Sequence, residues 1–333
     1  MVVRLTRWPL PFALLLALSL LLLAAVLAAP LLAPEGGLVY RDLPLLSREL
    51  ERTTVSEAAS LGPPQPVPPA QPTALLEPGP FGALPRVAGD GTTPFAAFAR
   101  PDPGAPEEVP LLALIVLDLG LMQEHTQAAL ALPEPTALGF SPYAPALQAW
   151  MGVARARGYE LLLELPALSA DPRVDAGPLA LVPGDAERLS RGLARLLARG
   201  RDYFAVALAP GAFAQDPRAF APVARELRRR GVGLVEIGSD RLRPLADELA
   251  LPYLGGVMRL DRELAPAAVD QALGALETRA LRQGWAVGAF RAAPLLFARL
   301  RQWLPTLPEK GFLLVPASRL FGRTPRSAVA QGS

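Results

Sequence analysis

Acidic side chains stand at the ends of several apolar runs in the second half of the chain. Asp118 ends the run LLALIVLD, and Glu164 interrupts the run YELLLEL, which is otherwise suited to complete burial. A buried acid needs a partner or a shifted pKa. Five carboxylates follow or interrupt such runs: Asp118, Glu164, Glu236, Asp240 and Asp261. If these side chains lie close together, two of them could serve as the acid and base of a glycosidase, or the group could bind a hard cation.

Pairing with arginine is the alternative for these acids, and it is the one that we favour. Arg259, Arg291 and Arg319 also follow apolar runs, and each can neutralise a neighbouring acid. The chain has one histidine, His125, and no cysteine, so it lacks the usual ligands of an imidazole or thiolate metal site. We interpret His125, at the start of a polar-faced helix, as a surface or capping residue. We therefore expect neither a bound metal nor a cofactor.

The overall charge and the absence of familiar motifs exclude several other classes of function. The 33 basic and 31 acidic residues leave a net charge of +2, far from the dense basic surface of nucleic-acid-binding proteins. The sequence contains no G-x-S-x-G elbow, phosphate-binding loop or dinucleotide fingerprint. We expect no nucleic-acid partner.

Strands and helices alternate in the pattern that follows Pro110. Short apolar runs alternate with amphipathic stretches such as DAERLSRGLARLLARG, several of which end on glycine, as helices commonly do. Repeated βα units are typical of an α/β fold with a parallel sheet buried on both faces, either a closed (β/α) barrel or an open doubly wound sheet. The number of strands favours the barrel, since the runs predict strands near 111–118, 136–141, 159–165, 204–209, 232–237, 254–260, 285–290 and 312–317.

The carboxyl ends of the strands form the functional face in both architectures. Asp118 and Glu164 are the candidates for catalysis if the protein is an enzyme. Aromatic rings near this face, including Phe140 and Phe213, could stack on sugars or simply pack. Residues at strand ends and in the following loops are candidates for a binding face: Ser141, Tyr143, Pro210, Glu236, Asp240, Asp261, Phe290 and Arg291.

Two segments precede this predicted domain. Residues 8–34 carry no charge and exceed the roughly 20 apolar residues that span a hydrocarbon core. Arg4 and Arg7 predict a cytoplasmic N-terminus for an uncleaved anchor, and a cleaved signal peptide is the alternative. The high proline content of residues 35–109 predicts an extended spacer after the apolar segment. The chain is thus divided into an anchor or signal segment, a proline-rich low-complexity linker, a (β/α) barrel and a flexible tail, over residues 1–34, 35–109, 110–320 and 321–333.

The stretch ALIVLDLGL resembles the opening strand of the divergent polysaccharide deacetylase family, which typically has I-V-I-D-D-L-G there. The stretch GFSPYAPALQAWMGVARARGYELLLELPA is similar to the family's second strand, helix and third strand, and GWAVGAFRAAPLLFARLRQWLPTLPEKGFLLVPAS is similar to its later segments. The resemblance covers about residues 110–320. It implies a NodB-like, distorted (β/α) barrel of seven to eight parallel strands, tethered in a bacterial envelope and acting on or near amino-sugar polymers.

The chain departs from this family at the positions to which the resemblance assigns catalysis. Leu117 replaces the family's first aspartate, the general base, while Asp118 keeps the place of the second, a metal ligand. A metal-activated water needs both ligands and a base, so the resemblance implies a degenerate site. Other residues occupy the family's histidine positions in the third strand, after the fourth strand and after the seventh: Tyr159, the segment Leu208, Ala209, Pro210 and Gly211, and Ala289 between Gly288 and Phe290.

These observations predict an inner-membrane protein with a single span and a periplasmic C-terminal domain. We expect it to bind an envelope glycan of the peptidoglycan type, or a cell-wall enzyme, without catalysis. If the signal is cleaved, the protein is instead periplasmic or secreted. Two alternatives stay open: an active carbohydrate hydrolase or deacetylase that uses Asp118 and Glu164, and a scaffold that binds protein only.

Overall fold

A computed structural model gives the three-dimensional structure of the chain. The structure describes residues 74–101, 109–167, 177–182, 184–211, 213 and 216–324. The predicted membrane span and the residues up to 73 lie outside these ranges. Within them, no helix is long and apolar enough to cross a membrane.

The described part of the chain begins with a hairpin and a short helix. Strands β1 (Leu76–Gly79) and β2 (Gly82–Pro85) pair antiparallel, and helix α1 (Pro94–Phe98) follows. The sequence predicts a proline-rich linker for these residues, and here the structure differs from that prediction. Proline at the first position of α1 removes no hydrogen bond, because that N–H has no partner within a helix. Proline density therefore did not exclude local structure.

Seven parallel strands form a closed barrel, in which each strand pairs with the next and the last pairs with the first. This confirms the predicted (β/α) barrel. A further short strand, β10 (Leu313–Leu314), pairs with the start of the first barrel strand and lies outside the closed ring. The barrel strands are β3 (Leu111–Leu119), β4 (Ala137–Phe140), β5 (Glu160–Leu165), β6 (Ala205–Leu208), β7 (Gly233–Ile237), β8 (Tyr253–Arg259) and β9 (Trp285–Arg291).

Helices follow the barrel strands and have clear start and stop signals. The Asp216 carboxylate accepts hydrogen bonds from the backbone N–H groups of Arg218 and Ala219 at the start of the helix Pro217–Arg230. Gly231 ends the same helix in the left-handed conformation, with φ 67°. The helices are α2 (Gln123–Ala129), α3 (Leu147–Ala156), α4 (Ala186–Leu197), α5 (Pro217–Arg230), α6 (Arg243–Glu248), α7 (Pro266–Gln283) and α8 (Pro294–Trp303).

The hydrophobic core has two layers, separated by the barrel wall. Ile115 and Leu117 of β3 belong to a cluster that includes no described side chain of α2–α8, so they point into the barrel. Leu114 and Val116 belong to a second cluster, which contains side chains from these helices. Successive residues of a strand point to opposite faces, and the two clusters therefore show which face of each strand is inside.

The same alternation fixes the direction of the acidic side chains. In β5, Leu162 belongs to the inner cluster, so Glu160 and Glu164 also point inward. In β7, Leu234 belongs to the outer cluster, so Glu236 points toward the helices. Among the acids on these described strands, those of β5 point into the barrel, whereas Glu236 does not.

The amino-terminal end of the barrel is covered by the segments that flank it in sequence. Glu160 accepts hydrogen bonds from the backbone N–H groups of Arg100 (2.8 Å) and Ser318 (3.1 Å). The rings of Phe95 and Phe321 lie 4.9 Å apart, center to center, and both contact Phe204. The sequence predicts that Phe321 belongs to the flexible tail, but it packs in this cluster. Both boundaries of the predicted barrel domain therefore fall inside the folded part.

Candidate functional site

Asp118 lies at the carboxyl end of β3, in an unusual backbone conformation. Its φ is 62°, and the pairing between β3 and β4 shifts register between Val116 and Leu119. Left-handed φ is uncommon for residues other than glycine, although Asp tolerates it better than most. The Asp118 backbone N–H donates to Oε1 of Glu164 at 2.6 Å, which joins the ends of β3 and β5.

Glu164 is the acid that the barrel interior holds at this end. Burial raises the pKa of its carboxyl well above the ordinary value, and the neighbouring Asp118 charge raises it further. The Asp118 N–H and the positive charge of Arg291 lower this pKa but are outweighed. Glu164 therefore retains its proton at a pH where an exposed glutamate has lost it. A protonated acid beside another acid can donate a hydrogen bond or a proton to a ligand.

Two arginines and a third acid complete the group. Nε of Arg291 lies 3.4 Å from Oδ2 of Asp118, and the Arg291 backbone N–H donates to Asp261 at 3.1 Å. Nε and Nη2 of Arg259 both lie 2.9 Å from Oδ1 of Asp261. These contacts match the interpretation that acids at the strand ends pair with arginine. We call Asp118, Glu164, Arg259, Asp261 and Arg291 the mouth group.

Solvent access differs within the mouth group. The Arg291 side chain is 59% exposed and that of Asp118 is 38% exposed, whereas Asp261 is 5% exposed. The Asp118–Arg291 ion pair is long and largely hydrated, so it contributes little to stability. Its charged groups remain available to hydrogen-bond a ligand at the mouth.

Glu236 and Asp240 lie away from the mouth group, contrary to the expectation of one five-carboxylate cluster. Glu236 is fully buried, and its Oε2 accepts hydrogen bonds from Leu242 N (3.0 Å) and from the Tyr253 hydroxyl (2.5 Å). Asp240 accepts a 2.8 Å hydrogen bond from Arg243 Nε. Because Glu236 points toward the helix layer, its position at a strand end does not bring it to the mouth.

Burial excludes most of the aromatic candidates from a sugar-binding face. Phe140, Phe213 and Phe290 are completely buried, so the proposal of Phe290 as a binding residue is wrong. The ring of Phe290 instead contacts Phe297 of α8 edge to face. The partly buried Tyr143 accepts a 3.1 Å hydrogen bond from Leu179 N through its hydroxyl oxygen.

The two remaining candidates differ in exposure. Ser141 is buried, its N–H donates to the Leu119 carbonyl at 3.0 Å, and its hydroxyl oxygen accepts a long hydrogen bond from Tyr143 N. It therefore supports the turn after β4 and presents little surface. Pro210 is exposed, at the end of β6.

The residues at the family's metal-binding positions do not fit a divalent metal ion. No group of three or more His, Asp or Glu side chains suited to a metal is present among the residues that the structure describes. Tyr159 is buried and its hydroxyl contacts the carbonyl oxygens of Leu130 and Leu132. Leu117 packs in the barrel, and Ala289 is an apolar residue of the same interior. At the family positions that the structure describes, Asp118 therefore has neither co-ligands nor the family's aspartate base.

Sequence reasoning missed a second concave surface, on the outside of the barrel. Arg188, Arg191 and Arg195 line it together with the tip of the β1–β2 hairpin. Their spacing of three and four residues along α4 places them on one helix face. That spacing is visible in the sequence, but the cleft is completed by segment 177–182 and by Phe81 of a hairpin that the sequence places in the predicted linker.

Comparison with known proteins identifies a family and several solved structures that are similar to this chain. The model of the family described as divergent polysaccharide deacetylase matches residues 114–321. The crystal structure of an uncharacterized protein from Agrobacterium tumefaciens C58 is 32% identical with a TM-score of 0.67, and the match covers 72% of this chain and 99% of that one. A "putative cellobiose-phosphate cleavage protein" from Enterococcus faecalis V583 is 13% identical with a TM-score of 0.47, over 64% of this chain and 100% of that one. No curated protein matches.

Proposed function

Because the chain belongs to the divergent polysaccharide deacetylase family, we propose that it is an envelope-tethered protein whose barrel mouth binds a peptidoglycan-type glycan without metal-dependent deacetylation. One observation carries this proposal. Asp118, at a family metal-ligand position, contacts Arg291 and Glu164 instead of co-ligands, and Leu117 fills the position of the base. Such a site can hold a sugar but cannot activate water in the family's manner.

The mouth group supplies the hydrogen-bonding pattern that a sugar needs. The guanidinium of Arg291 carries several donors, of which the Asp118 carboxylate engages only one edge. Glu164, with its raised pKa, adds a donor, and Asp118 adds an acceptor. Sugar hydroxyl and acetamido groups pair with donors and acceptors of this kind. The uncharged segment 8–34 supports the proposed tether and a location of the barrel in the periplasm.

Co-sedimentation of the full-length protein with purified peptidoglycan sacculi tests this proposal. We expect the wild-type protein to pellet with the sacculi. The Arg291→Ala variant should bind about tenfold more weakly, because it loses charge-assisted hydrogen bonds to the glycan. Arg301→Ala removes the same side chain from an exposed position on α8 and serves as the matched control. If the wild-type protein stays in the supernatant, or if both variants bind alike, the mouth does not bind this glycan. The first of these outcomes favours a scaffold that contacts only a cell-wall enzyme.

A second candidate function is hydrolysis that uses Asp118 and Glu164. The observation in its favour is the raised pKa of Glu164 beside the half-exposed Asp118 carboxylate. Two acids in different environments can divide the roles of proton donor and base. Reducing ends or acetate released from chitooligosaccharides would establish this function if Asp118→Asn and Glu164→Gln each abolish the release. Release that survives both substitutions would assign it to a contaminant.

A further inference from the structure

A cleft of about 650 Å³ lies on the outer flank of the barrel, along α4. This volume is within the range of about 300–1,000 Å³ that is usual for small-molecule sites. Helix α4 follows β5 and precedes β6, and both strands are parallel, so the helix runs from the mouth side of the barrel toward its amino-terminal end. One wall of the cleft is α4, the other is the segment 177–182, and Phe81 at the tip of the β1–β2 hairpin stands at one end.

Positive charge on α4 is only partly compensated within the cleft. Arg188, Arg191 and Arg195 line it, and like charges at this spacing destabilise a helix. Arg191 pairs with Glu187, but both side chains are largely exposed, at 63% and 81%, so the pair is weak. The guanidinium of Arg188 has no hydrogen-bond or ion-pair partner in the described part of the chain. The second acid of the cleft, Asp185, accepts from the Arg188 backbone N–H and caps the helix.

The rest of the cleft lining is largely apolar and includes an exposed ring at one end. Phe81 is 44% exposed, Val182 is 37% exposed, and both line the cleft. The guanidinium carbon of Arg195 lies 5.9 Å from the center of the Phe81 ring. An aromatic ring beside arginine can contact the apolar face of a sugar while the arginine binds an acid group.

A glycine in the middle of α4 keeps the two walls close. A Cβ at Gly192 would lie 3.3 Å from Cδ2 of Leu181, in the opposite wall. Glycine destabilises a helix relative to alanine, and here it leaves room for Leu181 to pack against the helix. A larger side chain at this position would enter the cleft.

From these features we propose that the α4 cleft binds a saccharide chain that carries carboxylate groups. The arginine row supplies charge complementarity, with a planar donor group that matches a carboxylate. Phe81 and the apolar wall receive the sugar rings between the acid groups. The site is separate from the mouth, and a polymer that reaches the mouth side of α4 can continue along the cleft.

Titration of the full-length protein in detergent with oligogalacturonate, a carboxylate-bearing saccharide, tests the proposal. We expect the double substitution Arg188→Gln and Arg195→Gln to weaken binding at least tenfold, and added salt to weaken wild-type binding. Removal of two exposed arginines from α5, by Arg225→Gln and Arg228→Gln, is the charge-matched control and should leave binding unchanged. Gly192→Leu should block the cleft without changing charge, whereas Gly152→Leu on α3, where a Cβ meets nothing within 4 Å, should not.

Further arms separate this site from the mouth and from other anions. Arg291→Ala should lower binding to sacculi but leave oligogalacturonate binding intact, so that failure of the mouth proposal and failure of this one are distinguishable. Neutral chitooligosaccharides should not compete for the cleft. Equal binding by the α4 and α5 variants would overturn the proposal. The proposal would also be overturned if the protein binds phosphatidylglycerol vesicles through Arg188 and Arg195 but does not bind oligogalacturonate.

Discussion

Replacement of Glu164 by glutamine removes a titrating carboxyl group that points into the barrel at its mouth. Glutamine keeps an oxygen that can accept the hydrogen bond from the Asp118 backbone N–H, now 2.6 Å long. It has nearly the same shape, so packing against β3 is retained. What changes is charge: wild-type Glu164 must lose a proton in a partly buried position beside the Asp118 carboxylate, and glutamine has none to lose.

The sign of the effect on stability follows from the raised pKa. Between the ordinary carboxyl pKa near 4.5 and the higher folded value, folded Glu164 holds a proton that unfolded Glu164 has released. Stability from this group is therefore complete below pH 4.5 and is lost as the pH rises through the window. One proton difference gives a slope of at most about 1.4 kcal/mol per pH unit. Glu164→Gln should lack this slope and become the more stable protein as the pH rises.

Urea unfolding from pH 4 to pH 8, followed by tryptophan fluorescence, measures the difference. Glu160, whose pKa burial also raises, is present in both proteins and cancels in the comparison. Glu263→Gln, at an exposed position, is the matched control and should track the wild type at every pH. If the free energies of the wild type and of Glu164→Gln stay parallel from pH 4 to pH 8, Glu164 is not held in its protonated form and the description of the mouth fails.

Three further substitutions test other parts of the structure, each by urea unfolding at neutral pH. Leu117→Asp restores an acid at the family's base position but places it in the barrel interior, and should cost about 3 kcal/mol; an unchanged midpoint would show that Leu117 is not packed there. Tyr159→Phe removes a buried hydroxyl that contacts two carbonyl groups and should cost about 1–2 kcal/mol, and no loss would exclude this structural role. Arg230→Met breaks contacts with Glu77 and with the Pro85 carbonyl and should cost about 2 kcal/mol; equal stability would mean that the hairpin is not held by Arg230.

The barrel could be predicted because its strands are clear apolar runs in the sequence. Runs such as LLALIVLD are apolar on both faces, as strands of a parallel sheet must be when helices cover one side and the barrel interior the other. The same property hides which face is inside. In the structure, Glu236 of GLVEI points toward the helices and Glu164 of ELLLEL points into the barrel. Neither run alternates apolar and polar residues, so the sequence does not reveal this difference. The five-carboxylate cluster failed for this reason.

The boundaries of the domain were less predictable than its strands. Proline content suggested a spacer up to residue 109, but Pro94 begins α1 and the Arg230 side chain holds the hairpin that precedes it. Those contacts join residues far apart in sequence, and no local pattern reveals them. The pairing of Asp118 with Arg291 was easier to expect, because both residues end neighbouring strands that pair in the barrel.

The central claim is that the mouth binds a glycan but lacks metal-dependent deacetylation. The most direct test is acetate release from N-acetylated chitooligosaccharides by the full-length protein with zinc added, beside an active polysaccharide deacetylase as the positive control. The structure predicts no acetate above the protein-free background, from a preparation that co-sediments with sacculi. Acetate release that requires zinc and disappears in Asp118→Asn would contradict it.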